Sequence, residues 1–235
     1  MTDSPPRVAL VTGSRKGIGR RVAEHFLEAG YAVVGCSREA SDWSHERYEH
    51  FTADVSQEDA VVTMLDAVRR RHGGLAVLVN NAGTAAMNHL LLTPGETLDR
   101  LLRTNLLGTM LVSREAAKVM TRGRWGRIVS FTTVAVPLQL EGEAAYVASK
   151  AGVEAFTRVL AREVAPMGIT VNAVGLPPIE TDLLRGVPRE KRDALIGRLA
   201  LRRMGTFDDV TNIVDFLIRP ESSAVTGQII YLGGP

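Results

Sequence analysis

A chain of 235 residues, 45% of them hydrophobic and 23% charged, suits one large α/β domain with a full core. A formal net charge of only +2 argues against a bulk nucleic-acid binder, and no apolar run is long enough to cross a membrane. Cys36 is the single cysteine, which excludes an intrachain disulfide and points to a reducing, cytoplasmic home. The short polar start, with two prolines, is expected to be neither a signal nor a transit peptide.

Short β-branched runs alternate with longer amphipathic stretches, and no repeat or internal domain boundary is visible. Strands are expected at 8–12, 32–36, 48–52, 76–79, 127–131, 170–173 and 228–232. Helices are expected at 20–29, 60–71, 97–120 with an irregularity at Gly108, 146–164 and 208–218. Gly30 stops the first helix. Residues 39–50, including Ser41, Asp42 and Trp43, read as loop without chemistry. The alternation implies right-handed crossovers and a single doubly wound parallel sheet of about seven strands, flanked by helices on both faces. Ligands of such sheets bind beyond the carboxyl ends of the strands, and every motif below falls at those ends.

Gly13, Ser14, Arg15, Lys16, Gly17, Ile18 and Gly19 lie between the first strand and the first helix. Gly13 permits a tight exit from the strand, while Gly17 and Gly19 let backbone approach a diphosphate. The helix start then offers unpaired N–H groups and positive dipole character to phosphate. An NAD-binding chain would carry an acid at the end of the second strand. Here Ser37 stands in that place and Arg38 follows. Arg38 and Lys16 can both pair with a 2′-phosphate, so the expected cofactor is NADPH/NADP+.

Tyr146 and Lys150 are four residues apart at the start of a helix and share one face. A phenol of ordinary pKa is a poor acid at neutral pH, and a nearby ammonium is expected to lower it into the working range. Tyr146 can then give a proton to a carbonyl oxygen.

These residues, taken with Asp54-Val55, Asn80-Asn81-Ala82-Gly83, Asn105, Val171-Asn172-Ala173 and Ile179-Glu180-Thr181-Asp182, resemble the short-chain dehydrogenase/reductase family. The 3-oxoacyl-carrier-protein reductase branch is the most similar, and the resemblance spans residues 8–234. It implies that Asp54 and Val55 hold adenine and that Asn81, Ala82 and Gly83 line the adenosine ribose. It also implies that Lys150 binds the nicotinamide ribose, that Asn105 anchors a water behind Lys150, and that Ile179 and Thr181 hold the carboxamide. Where the family usually has serine, this chain has Thr133, which keeps the hydroxyl but adds a methyl group. Where the family has Pro-Gly, the chain has Leu176-Pro177, within Gly175-Leu176-Pro177-Pro178. This departure either reshapes the nicotinamide face or shifts the glycine to position 175.

Arg185, Arg189, Lys191, Arg192, Arg198, Arg202 and Arg203 crowd one segment, and Arg122, Arg124 and Arg127 form a second group. Each reads either as a solvated face or as a docking surface for an anionic substrate or acidic carrier. Residues 180–203 are expected to form a substrate lid. Met87 and Met204 either line the cleft or fill space. His25, His45, His50, His72 and His89 lack ligand spacing, so no metal is expected.

The leading reading is an NADPH-dependent reductase of a small carbonyl substrate, a 3-oxoacyl thioester or polyketide-type ketone, free or bound to a carrier protein. An alcohol, sugar or specialised-metabolite dehydrogenase is the alternative, and a weakly active cofactor-binding regulator is a third. The resemblance implies a homo-oligomer, dimer or tetramer, paired through the helices beginning near Thr97 and Tyr146. The face of Val153, Phe156, Val159, Leu160 and Val164 fits that pairing or burial against the chain's own sheet.

Overall fold

The computed structural model describes residues 7–185 and 187–235. In chain order the elements are β1 (Val8–Thr12), α1 (Gly17–Glu28), β2 (Ala32–Ser37), β3 (Tyr48–Thr52), α2 (Glu58–His72), β4 (Val77–Asn80), α3 (Gly95–Leu101), a π-helical stretch (Leu102–Leu107) and α4 (Gly108–Thr121). There follow β5 (Gly126–Thr133), α5 (Ala135–Leu138), α6 (Ala144–Val164), β6 (Ile169–Leu176), α7 (Asp182–Arg185), α8 (Arg189–Arg198), α9 (Phe207–Ile218) and β7 (Ile229–Tyr231).

The strands form one seven-stranded sheet in the order β3-β2-β1-β4-β5-β6-β7. All neighbours are parallel. Side-chain alternation sends Leu10, Val34, Leu78 and Ile128 to the face covered by α2, α4 and α6. Ala9, Val11, Val33 and Val79 go to the face covered by α1 and α9. Continuously buried strands such as β1 and β4 are what a sheet covered on both sides requires. The order reverses between β1 and β4, and a crevice at such a switch point is where ligands bind.

Helix termini are set by local chemistry. α2 begins two residues earlier than the apolar periodicity suggests, because Glu58 and Asp59 occupy its first turn and favour the positive end of the dipole. It ends with Arg69, Arg70, Arg71 and His72 at the negative end, and Gly73 closes it with φ +75°, a left-handed conformation that suits glycine. α1 likewise begins at Gly17, before its apolar face appears in the sequence.

Three sequence expectations are corrected. The irregularity expected at Gly108 is a full π-helical stretch ahead of it, spanning Leu102–Leu107. β6 does not stop at Ala173 but runs to Leu176, paired with Thr133 of β5. Trp43 lies in a loop, as read, yet it is not idle. Its indole stacks on Tyr48 with ring centroids 3.9 Å apart, and its Nε1–H donates to the Ser14 carbonyl at 3.2 Å.

The Leu176-Pro177 question is also answered. Gly175 sits inside β6, where any Cβ would collide with the Tyr231 ring, so its glycine serves strand packing and is not a displaced loop glycine. Pro177 is buried against Gly205 and Gly233. Of the proposed pairing face, Val153, Leu160 and Val164 are buried in the chain's own core, which leaves Val159, 56% exposed, and half-buried Phe156 facing outward.

Candidate active site

The glycine loop is held by the strand ends on either side of it. Gly13 N–H donates to the Cys36 carbonyl at 2.8 Å. A Cβ at Gly13 would lie 2.7 Å from Asn81 Nδ2, and one at Gly19 would run into the Gly13 carbonyl. Asn81 donates its side-chain amide to the carbonyls of Thr12 (2.8 Å) and Gly13 (3.2 Å). Thr12 Oγ1 accepts from the backbone N–H groups of Asn81 and Ala82 at 3.0 and 2.9 Å. The Asn81 side chain is thus a brace for the loop, and its segment presents backbone to a ligand.

α1 has neither a side-chain cap nor an acidic residue in its first turn. Its first N–H groups, from Gly17, Ile18 and Gly19, lack a carboxylate competitor and suit a diphosphate. Thr181 comes over the loop, 3.9 Å from where a Cβ of Gly17 would be, and its hydroxyl donates to the Ile179 carbonyl at 3.3 Å. Ile179 is 5% exposed. The arrangement therefore fits a dinucleotide lying between the loop and the Ile179–Thr181 corner.

Beside the ends of β1 and β2 runs a hydrogen-bond chain that the sequence did not show. Ser14 Oγ and Tyr48 Oη are 2.9 Å apart, Tyr48 Oη and His50 Nδ1 2.7 Å, and His50 Nε2 and Ser37 Oγ 3.0 Å. Burial, aided by Arg15, lowers the His50 pKa, so the ring is neutral at neutral pH. Ser37 Oγ donates to the Glu39 carbonyl at 2.6 Å, so its proton is committed and it meets a ligand only as an acceptor. Arg15 is ion-paired with Glu39 at 2.8 Å and Lys16 with Asp182 at 3.2 Å. Arg38 is exposed, with no hydrogen bond or ion pair among the described residues. Asp54 uses its side chain locally, accepting from Ser56 N–H and Oγ–H at 2.9 and 2.8 Å, while Val55 packs against Gly108.

The catalytic candidates converge where β5 ends and α6 begins. The Thr133 hydroxyl is close enough to the Tyr146 phenol to act against its upward pKa shift, and Thr133 Oγ1 accepts from Ala135 N–H at 3.2 Å. Lys150 is 7% exposed, and its Nζ donates to the Phe131 carbonyl at 2.7 Å. A Cβ at Gly83 would lie 3.3 Å from Asn105 Oδ1 and 3.5 Å from Lys150 Nζ, so the β4 loop passes close to both. Asn105 is fully buried. It clamps that loop to α6, accepting from Thr84 N–H (2.8 Å) and donating to the Thr84 carbonyl (2.9 Å) and Ser149 Oγ (3.0 Å).

The electrostatics correct one expectation. Burial pushes the Tyr146 phenol up to about 12, against the nearby Thr133 hydroxyl and with the help of the Glu143 carboxyl. Burial pulls Lys150 down to about 8. Lys150 is not among the groups that shift the phenol, and desolvation of the phenolate wins. A phenol held protonated is a proton donor. Glu143, at the N-cap of α6, was overlooked; a carboxyl one helical turn before the tyrosine was the available signal.

The basic groups fare unevenly. Arg127 is 2% exposed and lies over the Trp125 ring, so it is no docking residue. Arg203 pairs with Asp209 at 2.7 Å and Arg189 with Asp193 at 3.5 Å. The side chain of Arg185 lies outside the described residues. No group of three His, Cys, Asp or Glu placed to hold a metal occurs among the described residues, nor does a helix long and apolar enough to cross a membrane.

Removing the Thr133 hydroxyl tests its part. Thr133→Val is expected to lower kcat about 10²-fold, as loss of a donor to a developing oxyanion does, whereas Thr133→Ser should stay within about threefold of the parent. Steady-state kinetics on both variants check this.

A family model described as Enoyl-(Acyl carrier protein) reductase matches residues 13–234. The 3-oxoacyl-[acyl-carrier-protein] reductase FabG of Pseudomonas aeruginosa is 34% identical, over 97% of this chain and 96% of its own length. FabG of Staphylococcus epidermidis is also 34% identical, over 96% of this chain and 97% of its own length. The ligand-free structure of Thermoplasma acidophilum aldohexose dehydrogenase superposes with a TM-score of 0.89 at 30% identity, covering 98% of this chain and 94% of that one.

Proposed function

The chain belongs to the short-chain dehydrogenase/reductase family, an oxidoreductase family acting on CH–OH groups, and on that premise we propose that it reduces a ketone to an alcohol with NADPH. The substrate class we assign is a 3-oxoacyl thioester or polyketide-type carbonyl, in keeping with the FabG relatives. The observation that carries the reading is that the end of β5 and the start of α6 bring Thr133 and Tyr146 beside buried Lys150.

Bound nicotinamide supplies the hydride. Tyr146 donates its hydroxyl proton to the carbonyl oxygen, while the Thr133 hydroxyl hydrogen-bonds to that same oxygen and orients it. Lys150 offsets the negative charge left on Tyr146. The clamp formed by Asn105 fixes α6 against the Gly83 loop, and its backbone carbonyl, which already accepts from Thr109 Oγ1 at 2.8 Å, is the group that holds the relay water. Residues 180–203 cover the substrate. Exposed Leu102, Leu107, Met110 and Val159 supply apolar surface for pairing of identical chains. The single buried cysteine suits the cytoplasm.

Arg38 supports NADPH, since it is the uncommitted cation next to Ser37. Lys16, its partner in that reading, must leave Asp182 to reach the 2′-phosphate, and Ser37 contributes only as an acceptor. The test is direct: purified protein should oxidise NADPH, not NADH, in the presence of an acetoacetyl thioester. Arg38→Glu should raise the KM for NADPH about 30-fold, in the range of a lost charge-assisted contact, and leave that for NADH little changed. Equal use of both cofactors by the parent protein would sink the NADPH assignment.

A sugar or other polyol dehydrogenase is the second reading. The aldohexose dehydrogenase superposition and the carboxyl of Glu143 favour it. Acyl thioesters failing while hydroxylated ketones or sugars turn over would decide for it.

A further inference from the structure

A hollow of about 270 Å³ lies in the groove between α2 and α4. α2 ends at His72 ahead of β4, and α4 ends at Thr121 ahead of β5. Arg69 and Arg122, which line the hollow, therefore stand towards the amino ends of the strands. The glycine loop and Tyr146 follow the carboxyl ends of β1 and β5, at the other side of the sheet. Val62, Leu65 and Val119 give the hollow an apolar part, and Leu65 and Val119 are buried.

Charged side chains complete the lining. Asp66 accepts from Arg69 Nη2 at 3.1 Å. Glu115 is held by Arg114 at 2.7 Å and by Lys118 at 2.8 Å. Burial works against the Glu115 carboxylate, but those two contacts keep its pKa below the ordinary range. Both acids are therefore charged and already matched. Arg122 is the exposed C-cap of α4, and its side chain has no hydrogen bond or ion pair among the described residues. Arg69 Nε is buried with no hydrogen-bond partner. Arg69, Lys118 and Arg122 set against Asp66 and Glu115 leave the lining with one unmatched positive charge. Basic residues in a last helical turn ordinarily do no more than complement the dipole. That role needs neither a hollow nor a buried donor left unpaired, which is costly until an acceptor arrives.

We propose that this groove binds a small monocarboxylate with a short hydrocarbon body, its carboxylate on Arg122 and Arg69 and its hydrocarbon on Val62, Leu65 and Val119. The single unmatched charge selects a monoanion, because Asp66 and Glu115 repel a second negative charge. Guanidinium groups match a carboxylate in shape as well as in sign. The volume falls just below the roughly 300–1,000 Å³ of sites for drug-sized ligands, so the occupant is small. Such a ligand bridges α2 and α4 without touching the glycine loop or Tyr146. The site is thus separate from hydride transfer and does not depend on the carbonyl-reductase reading.

The probe is hexanoate, titrated into the full chain by calorimetry, with 1-hexanol and inorganic phosphate as controls. The parent should bind hexanoate with a Kd on the order of 1 mM or tighter, which is within reach of so small a ligand. Hexanol lacks the charge and phosphate lacks the hydrocarbon, so each should bind at least about tenfold more weakly. Arg122→Ala should weaken hexanoate about tenfold, the size of one charge-assisted hydrogen bond, and Arg69→Gln should act in the same direction. Arg122 is exposed at a helix end, so its variant keeps the fold, which a thermal melt checks. Tyr146→Phe should leave hexanoate binding within about twofold, as expected of a remote position. A parent that binds no hexanoate overturns the proposal, whatever the variants do. So does an Arg122→Ala variant that binds it as tightly as the parent, or a Tyr146→Phe variant that loses it, since the ligand would then occupy the carbonyl site. Phosphate matching hexanoate would also overturn it, by showing an anion patch with no use for the hydrocarbon.

Discussion

Tyr146→Phe is expected to lower kcat for carbonyl reduction by about 10³-fold, within the range that a positioned general acid contributes. NADPH affinity should change by less than about threefold, because the substitution removes one oxygen and leaves the ring and its packing. Two features set the size of the effect. Burial holds the phenol protonated, with its pKa up to about 12, so the parent protein carries the proton throughout the neutral range. The Thr133 hydroxyl also acts on the phenol, and the phenylalanine variant leaves Thr133 to face the substrate oxygen alone. Stopped-flow or steady-state kinetics together with NADPH fluorescence titration separate the two quantities. A variant that keeps a tenth or more of the parent rate by that estimate would remove Tyr146 from the role of proton donor. A parent protein inert on every carbonyl would favour a cofactor-binding regulator.

Lys150→Met is the second large effect, and it has opposite signs for activity and stability. Activity should fall by at least about 10²-fold, since the charge that offsets the developing phenolate is lost. Stability at pH 7 should rise. Burial lowers Lys150 from 10.5 to about 8, which corresponds to roughly 3 kcal/mol against the charged form in the folded chain. Loss of the hydrogen bond to the Phe131 carbonyl takes back about 1 kcal/mol, so a gain of about 2 kcal/mol remains, or roughly 4–8 °C in Tm for a chain of this size. The folded pKa lies below the unfolded one, so the unfolded chain binds more protons between about 8 and 10.5, and parent stability rises with pH across that window. The advantage of the variant should therefore be complete below pH 8 and fade towards pH 10.5. Thermal melts of both proteins at pH 7 and pH 10 give the comparison. A variant less stable at pH 7, or a gap that ignores pH, would show that the lysine is not under this strain.

The fold was largely readable because most strands are short runs rich in apolar residues, such as β1 ahead of Gly13 and β4 ending at Asn80, a pattern that depends on nearby residues. The glycine loop, Tyr146 and Lys150 were readable for the same reason, as their spacing is set within one turn or one helix. What escaped depends on contacts between distant segments. Nothing near Gly175 in the chain announces the Tyr231 ring packed over it. Trp43 sits in a polar loop, and only the fold brings it onto Tyr48 and Ser14. The spacing of Tyr146 and Lys150 predicted a mutual influence, but the competing carbonyl of Phe131 comes from β5, and burial cannot be read from a four-residue interval. The ion pairs of Arg15 and Lys16 with Glu39 and Asp182 are of this kind too. Both read as cofactor-binding in the sequence, and both are paired with carboxylates in the fold.

The π-helical stretch at Leu102–Leu107 sets a phase relationship as well as a shape. A π turn holds about one residue more than an α turn, so Asn105 meets Thr84 and Ser149 only because that extra residue is present. Loss of one residue here would let α3 run into α4 as regular helix and swing one flank by about 100° relative to the other. The two apolar faces could not both stay seated. For this chain, length between residues 95 and 121 is therefore a parameter in its own right: side chains can drift by substitution, whereas an insertion or deletion of one residue would break the alignment between this helix and α6, which carries Lys150, in a single step.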